Sequence, residues 1–295
     1  MALGEALAAH LATGVTTLCQ CWAVTRADGE GYGFTDHDLD LSFDGMTFRA
    51  DTGMTARALA QSTGLSVDNT EALGVLSDAA IREEDIRAGR FDGAAVTCWL
   101  VNWAAPDQRV VQFRGTLGEI RRSGGMFQAE LRGIAEALNQ PQGRVYQAGC
   151  TAMLGDGACG FDLSTPGYFT EVAVEVVEDG QALEFAALNG FEDRWFERGR
   201  LSVLDGAAKG LSAAIKSDRL SATGRRVELW QALRAVLAPG DRVRLEAGCD
   251  KRAETCRLKF SNFLNFRGFP HIPGEDWLMS TPLRVGVKDG GSLFS

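Results

Sequence analysis

Glycine is the feature of this sequence that most constrains its fold. The 295 residues include 35 glycines, which recur about every eight residues between short runs of alternating apolar and polar residues. Such runs are typical of β-strands, and glycine supplies the backbone angles that tight turns need. The sequence therefore predicts an α+β, β-rich fold: several short antiparallel sheets or barrel-like units, a few short helices, and two closely packed parts.

Individual strands follow from these runs. Residues 39–43 and 46–49 flank Asp44-Gly45, which favours a type I′ turn and predicts a hairpin. Residues 16–24 predict a strand, and residues 95–103, 109–120 and 125–131 predict a three-stranded meander. Six more strands are predicted at 169–177, 183–187, 199–204, 212–220, 227–229 and 242–246.

Helices are predicted at the start of the chain, at 78–87 after Ser77 as N-cap, at 132–139 before Pro141, and at 254–266. A boundary near residue 165 is expected to divide the chain into parts 1–165 and 166–295.

Charge and hydropathy exclude two classes of protein. The net charge of -9 repels phosphate backbones, and no Lys/Arg stripe offsets it, so general nucleic-acid binding is not expected. No stretch has the roughly 18 consecutive apolar residues of a membrane helix. The first 14 residues predict an amphipathic helix rather than an export signal, because Glu5 and His10 interrupt them. A chain folded in the cytoplasm is expected to keep its seven cysteines as thiols or metal ligands.

The cysteines fall into two groups. Cys19, Cys21 and Cys98 lie in apolar strand patterns and are interpreted as buried small hydrophobic residues. The other four form two pairs with eight and six residues between their members, in glycine-rich or polar loops: Cys150 and Cys159, then Cys249 and Cys256.

Four convergent thiolates suit a tetrahedral zinc ion or an iron–sulfur cluster. The spacing matches neither common zinc knuckles nor the bacterial ferredoxin run, so two disulfides or four unconnected thiols remain open from the spacing. Lys251, Arg252 and Arg257 lie beside the second pair and are expected to offset thiolate charge.

Other chemistry-bearing residues have simpler interpretations. Alternation would place Asp36, Asp38 and Asp40 on one strand face as a metal site, but a polar turn explains them more simply. His271 is interpreted as a packing residue. A cysteine peptidase would need His37 beside Cys19 or Cys98, and neither cysteine begins a helix that would activate it. Five aromatic residues are predicted to form a core cluster under the second cysteine pair, with a subunit interface as the alternative: Phe260, Phe263, Phe266, Phe269 and Trp277.

Two blocks of sequence carry a resemblance to a known family. The C-terminal block is CDKRAETCR at 249–257, followed by Phe260, Asn262, NFRGFPHIPG at 265–274 and Asp276. The N-terminal block is GFTDHD at 33–38, with Leu131-Arg132-Gly133, Gln140-Pro141 and Arg144-Val145-Tyr146. Over residues 10–277 the chain resembles the baseplate hub proteins of gene transfer agents and related long-tailed, siphophage-like phages of alphaproteobacteria.

This resemblance implies a structural virion protein with an N-terminal hub domain (1–165) and a C-terminal hub domain with the cysteine turn (166–295). Such a hub links the distal tail ring to the trimeric tip and lets DNA pass through its lumen without holding it. The implied partners are a distal tail protein, a tail-tip or central fibre protein, and further copies of itself as a homotrimer. The implied location is the virion baseplate, after assembly in the bacterial cytoplasm.

The resemblance also implies a cofactor and no catalytic role. The cofactor is an iron–sulfur cluster, [4Fe-4S] ahead of zinc, held by Cys150, Cys159, Cys249 and Cys256. The alternatives are a tail-associated cell-wall hydrolase that uses the Asp36–Asp40 region or a Cys/His pair, and a cytosolic iron–sulfur redox protein.

Overall fold

The computed structural model describes residues 4–50, 69–72, 82–123, 126–133, 143, 145–186, 188–222 and 224–272. The N-terminal strands are β1 (Leu18–Thr25), β2 (Gly31–Thr35), β3 (Leu41–Phe43), β4 (Met46–Arg49), β5 (Asn69–Ala72), β6 (Ala95–Asn102), β7 (Arg109–Ser123) and β8 (Met126–Gly133). The C-terminal strands are β9 (Phe169–Ala173), β10 (Val176–Glu178), β11 (Ala182–Phe185), β12 (Arg200–Val203), β13 (Ser212–Ser221), β14 (Gly224–Leu229) and β15 (Arg242–Glu246). The described helices are α1 (Glu5–Ala12), α2 (Glu83–Arg87), α3 (Ala253–Leu258) and a 3-10 helix at Phe263–Asn265. The β-rich α+β class is therefore confirmed, and within these ranges no helix has the length and apolar character to cross a membrane.

The N-terminal strands form one eight-stranded sheet in the order β3-β4-β2-β1-β6-β7-β8-β5. The predicted hairpin is present as β3 and β4, with Asp44 and Gly45 at φ 51° and 76° in its turn. The predicted meander is β6, β7 and β8. β2 pairs with β4 in parallel, and a Cβ on Gly33 would lie 2.4 Å from the Thr47 carbonyl oxygen. Only glycine therefore allows this close pairing.

β1 contributes to cores on both faces of the sheet. Trp22 and Val24 pack into one core with Phe34 and Phe113, whereas Cys19 and Cys21 pack into a second core across the sheet. Because successive strand residues point to opposite faces, the two cysteines lie on the same side. The interpretation of Cys19, Cys21 and Cys98 as core residues is confirmed, since each is at most 6% exposed.

The C-terminal strands form a closed barrel. Their order is β10-β11-β14-β13-β12-β15-β9, and only Val174 and Glu175 separate β9 from β10. Both linking residues continue the pairing: the Val174 N–H donates to the Asp241 carbonyl oxygen at 2.9 Å, and the Glu175 N–H donates to that of Glu184 at 3.1 Å. β9 and β10 are thus two halves of one bent strand that joins both ends of the sheet. The barrel encloses a core that includes Leu183, Phe185, Leu201, Val203, Ile215, Val227, Val243 and Leu245.

Three predicted helix boundaries are wrong. Arg82 is extended at the start of α2, so that helix begins at Glu83, where acidic residues favour a helix N-terminus. The predicted N-cap Ser77 and residues 78–81 lie outside the described residues. Arg132 and Gly133 belong to β8, and residues 134–139 lie outside the described residues. The helix predicted at 254–266 ends at Leu258, and Ser261 at φ 48° separates α3 from the 3-10 helix.

Candidate metal centre

The barrel topology brings the two cysteine pairs to one place. Phe169 at the start of β9 is paired with Glu246 at the end of β15. Just beyond them, the Ala247 N–H donates to the Tyr168 carbonyl oxygen at 2.7 Å. The loop before β9 and the segment after β15 therefore leave the barrel at the same end, which we call the barrel mouth. The loop carries Cys150 and Cys159, and the segment carries Cys249 and Cys256.

Hydrogen bonds join these two segments beside the cysteines. The Cys150 N–H donates to the Lys251 carbonyl oxygen at 2.8 Å, and the Lys251 ammonium donates to that of Ala152 at 2.5 Å. The Arg267 guanidinium donates to the Ala158 carbonyl oxygen at 3.2 Å. The two halves of the candidate site are thus held together by the chain itself.

Three of the sulfur atoms take part in hydrogen bonds with residues 262–267, and two of these bonds cross the junction. The Arg267 N–H donates to Cys150 Sγ at 3.4 Å, and the Asn262 side-chain amide donates to Cys159 Sγ at 3.6 Å. The Cys256 thiol donates to the Asn262 carbonyl oxygen at 3.4 Å. Donors aimed at sulfur stabilise the anionic thiolate that binds metals.

Gly248, which precedes Cys249, has a steric role. A Cβ at this position would lie 1.7 Å from the Glu197 carbonyl oxygen, so no larger residue fits there without displacing the backbone. The glycine lets the segment after β15 pass directly against the loop that contains Glu197, and this contact fixes where Cys249 enters the site.

Burial keeps the second cysteine pair protonated in the metal-free protein. Desolvation raises the pKa of Cys249, and it raises the pKa of Cys256 to about 11. The neighbouring Cys249, Cys150 and Cys159 thiols contribute to this rise in the pKa of Cys256, because each would carry negative charge when ionised. Metal binding at this site would have to displace these protons.

A lysine that the sequence prediction did not select places positive charge nearby. The Lys259 ammonium donates to the carbonyl oxygens of Trp195 (2.6 Å) and Gly248 (3.0 Å) and lies 4.2 Å from the Trp195 ring centroid. Burial lowers the pKa of Lys259 to about 8, while Cys249 acts in the opposite direction.

The charges predicted beside the second pair differ in their surroundings. The Lys251 ammonium donates to the Ala152 carbonyl oxygen, and the backbone N–H and the charge of Lys251 lower the pKa of Cys249 against the effect of burial. Arg252 lies 3.8 Å from the Asp250 carboxylate with 80% of its side chain exposed. Arg257 is also exposed. Lys251 and Lys259 are therefore the cations whose charge acts on Cys249, and the signal of Lys259 in the sequence was its position three residues after Cys256.

The four thiols are close together but do not stand as ligands of a single ion. All seven cysteines are free, and no group of three or more His, Cys, Asp or Glu side chains among the described residues is arranged to hold a metal ion. Four sulfur atoms bound to one zinc ion at about 2.3 Å would lie about 3.8 Å from one another. The thiols of the described residues do not form such a group. The chemistry of the set, with four soft thiols and N–H donors on two sulfurs, fits a larger thiolate-bound cluster.

The acidic segment at 36–40 is a turn. Asp36 accepts the Gln20 N–H at 2.6 Å, and Asp40 accepts the Ala50 N–H at 2.9 Å. The two carboxylates thus tie down backbone groups, and the strand-face arrangement considered for a metal site is wrong because residues 36–39 are not in a strand.

The residues considered for a cysteine peptidase are in unsuitable surroundings. The His37 ring lies 5.0 Å from that of Trp103, and its Nδ1 accepts the Leu39 N–H at 3.0 Å. Cys19 and Cys98 are in the core of the sheet, and burial raises the pKa of Cys98. The raised pKa of Cys98 argues against an activated nucleophile there, whereas a hydrogen bond with Cys21 lowers the pKa of Cys19, whose side chain is nevertheless buried.

The predicted aromatic cluster is only partly formed. Phe260 is 4% exposed and packs against Phe161 and Tyr168 at centroid distances of 5.0 and 5.6 Å. Phe263 stacks on Phe266 at 5.6 Å but is 43% exposed, so these two rings are not in the core. Phe269 packs against Tyr146, His271 is exposed, and Trp277 lies outside the described residues.

Comparison with known proteins gives consistent matches. Residues 4–162 match the family model described as baseplate hub protein, N-terminal attachment domain, and residues 194–276 match the one described as phage conserved hypothetical protein BR0599. A chain in a solved structure described as the virion of a native gene transfer agent (GTA) particle is 61% identical, with a TM-score of 0.90 over 99% of this chain and 100% of that one. No curated protein matches.

Proposed function

This chain belongs to the baseplate hub proteins of phage-like tails, and from that membership we propose that it is a structural hub subunit whose two cysteine pairs together hold one iron–sulfur cluster. Its role as a structural component of a gene transfer agent or phage tail baseplate follows from the family. The cluster, the homotrimer and the identity of the neighbouring tail proteins are the proposed part.

The observation that carries the cluster proposal is the meeting of Cys150, Cys159, Cys249 and Cys256 at the barrel mouth. Cys159 and Cys249 are 90 residues apart in the sequence, yet the loop and the segment that carry them are hydrogen-bonded to each other. A centre bound by all four sulfurs would link them covalently and restrict the unfolded chain, which stabilises the folded state. When bound, an iron–sulfur cluster would supply this cross-link and a redox-active group.

The chain's own residues are suited to hold such a group. The Arg267 N–H and the Asn262 amide would donate to thiolate sulfurs, and Lys259 would offset part of the negative charge. The residues are proposed to bind a cluster of the [4Fe-4S] type, with zinc as the lesser candidate.

The proposed partners are a distal tail protein, a tail-tip or central fibre protein, and two further copies of this chain. The family description of the N-terminal region as an attachment domain supports a tail partner for residues 4–162. The net charge of -9 supports a lumen that lets DNA pass without retaining it. We propose no catalytic role, and the protein is expected to release nothing from peptidoglycan, with or without His37→Ala.

The decisive experiment is anaerobic purification followed by iron analysis and visible spectroscopy. Wild-type protein is expected to contain stoichiometric iron and sulfide and to absorb in the visible range, whereas Cys249→Ala is expected to lose both. Cys19→Ala is the matched control, because it removes a thiol that is buried in the sheet away from the barrel mouth. A colourless wild type without iron, or iron retained in Cys249→Ala, would refute the cluster proposal.

A further inference from the structure

Asn262 contacts one cysteine of each pair. Its side-chain amide donates to the Cys159 carbonyl oxygen at 2.7 Å and to Cys159 Sγ at 3.6 Å. Its backbone N–H donates to the Cys256 carbonyl oxygen at 2.9 Å, and its own carbonyl oxygen accepts the Cys256 thiol at 3.4 Å. One half-buried residue, 103 positions after Cys159 in the sequence, therefore sets the position of Cys159 relative to Cys256.

The hydrogen-bond network determines which way the Asn262 amide faces. Its Oδ1 accepts the Asn265 side-chain amide at 2.7 Å. If the amide were reversed, its oxygen would face the Cys159 carbonyl oxygen and its NH₂ would face the NH₂ of Asn265. Both contacts would be repulsive, so the N–H groups must point toward Cys159.

We infer that Asn262 is a positioning residue for the candidate metal centre, which joins the two cysteine pairs and directs an N–H donor at the Cys159 sulfur. The inference about the sulfur donor rests on the proposed cluster, whereas the positioning of the two thiols does not. Groups that hydrogen-bond to metal ligands orient those ligands and alter the properties of the metal, and hydrogen bonds to cluster sulfurs are among the factors that set the reduction potential.

The variants Asn262→Asp and Asn262→Ala separate these effects. Asn262→Asp keeps the shape of the side chain but replaces the N–H donor by a carboxylate oxygen that faces sulfur. Thr151→Val is the matched control, because Thr151 Oγ1 also bonds across the same two segments, to the Arg267 carbonyl oxygen at 3.1 Å, without touching a sulfur. Circular dichroism would establish that all three variants fold.

In cluster-loaded protein, the midpoint potential and the rate of cluster loss to a chelator are the measurements. Asn262→Asp is expected to have a more negative potential than wild type, because a negative charge near the cluster disfavours reduction. Its metal affinity is expected to fall about 10- to 100-fold. Thr151→Val should match wild type, and an unchanged potential in Asn262→Asp would overturn the role of the N–H donor.

In metal-free protein, positioning is measured by cross-linking. With Cys150→Ser and Cys249→Ser in place, Cys159 and Cys256 are the pair left at the site, and a short bis-thiol reagent such as dibromobimane should join them efficiently. Asn262→Ala is expected to lower the yield, and Thr151→Val is not. Equal yields with and without Asn262→Ala would overturn the positioning role. A reduced yield with Asn262→Ala, together with a wild-type protein that contains no iron after anaerobic purification, would support the positioning role while refuting the cluster.

Discussion

The buried ion pair between Arg225 and Asp218 is expected to be the most sensitive point of the barrel. Both side chains are fully buried, and the guanidinium donates to Asp218 Oδ2 at 2.6 Å. Arg225 also donates to the carbonyl oxygens of Leu188, Phe191 and Glu192 at 2.5–3.1 Å. It therefore holds the loop that leads to Trp195 and Glu197, both of which contact the segment around Cys249.

Arg225→Met keeps much of the side-chain volume and removes the charge. It leaves the Asp218 carboxylate buried without its partner, and Asp218 Oδ1 already has no hydrogen-bond partner among the described residues. Removing one member of a fully buried pair costs about 3–5 kcal/mol, so the free energy of unfolding should fall by about that amount. The three carbonyl groups that lose their donor place the expected value toward the upper end.

Asp218→Asn is expected to be milder. Burial raises the pKa of Asp218, while the Phe196 N–H and Arg225 oppose this change, so a neutral side chain is better tolerated here than a lost guanidinium. Urea unfolding followed by circular dichroism and tryptophan fluorescence would measure both variants. A loss below about 1 kcal/mol for Arg225→Met, within the range of an ordinary surface change, or a larger loss for Asp218→Asn, would refute the reasoning.

Three further predictions concern the surroundings of the barrel mouth. Hydrogen bonds from the Arg194 guanidinium, and then from Arg219, hold the pKa of Glu197 below its ordinary 4.5. The stabilising effect of the Glu197 carboxylate is therefore present above pH 4.5 and is lost as the pH falls. Glu197→Gln should flatten the acid limb of a pH–stability curve, and an unchanged limb would contradict this. Burial lowers the pKa of Lys259 from 10.5 to about 8. Between these two pH values the unfolded chain binds more protons than the folded one, so the contribution of Lys259 to stability rises with pH. In metal-free protein Lys259→Met should lack that rise, and parallel pH–stability curves for wild type and variant would refute this prediction. Gly248→Ala should lower the free energy of unfolding, measured in urea, by about 1–3 kcal/mol because its Cβ overpacks the site. Gly157→Ala is the control and should be near neutral, because its added Cβ meets open space in the cysteine loop. Equal losses in the two variants would argue against the steric role of Gly248.

Local sequence patterns predicted most of the strands. The Asp44-Gly45 hairpin, the meander of β6–β8 and β15 follow the expected alternation closely, because turn chemistry and one-sided burial are encoded within a few residues. β2 was not predicted as a separate strand. Its Gly33 serves a parallel contact with β4, and such a contact depends on residues that are distant from the local pattern.

The four cysteines were identified from the sequence, but their meeting was not derivable from spacing. It depends on the register that places Phe169 opposite Glu246, which is set by closure of the whole barrel. Asn262 and Lys259 were not selected for the same reason. Each resembles an ordinary polar residue of a short helix or turn until the loop with Cys159 and the loop with Trp195 are placed beside it. The division of the chain at residue 165 stays a prediction.

The pairing of β9 with β15 at the barrel mouth has a mechanical consequence. Tension that draws residues 145–168 away from residues 247–269 would act at one end of this strand pair. Its hydrogen bonds would then break one after another, beginning at Phe169 and Glu246. A bond between the two cysteine pairs across the mouth would carry this load itself, so the hydrogen bonds of the ladder would not be broken one at a time. The force that this junction withstands would thus depend on whether the four cysteine sulfurs bind a common group.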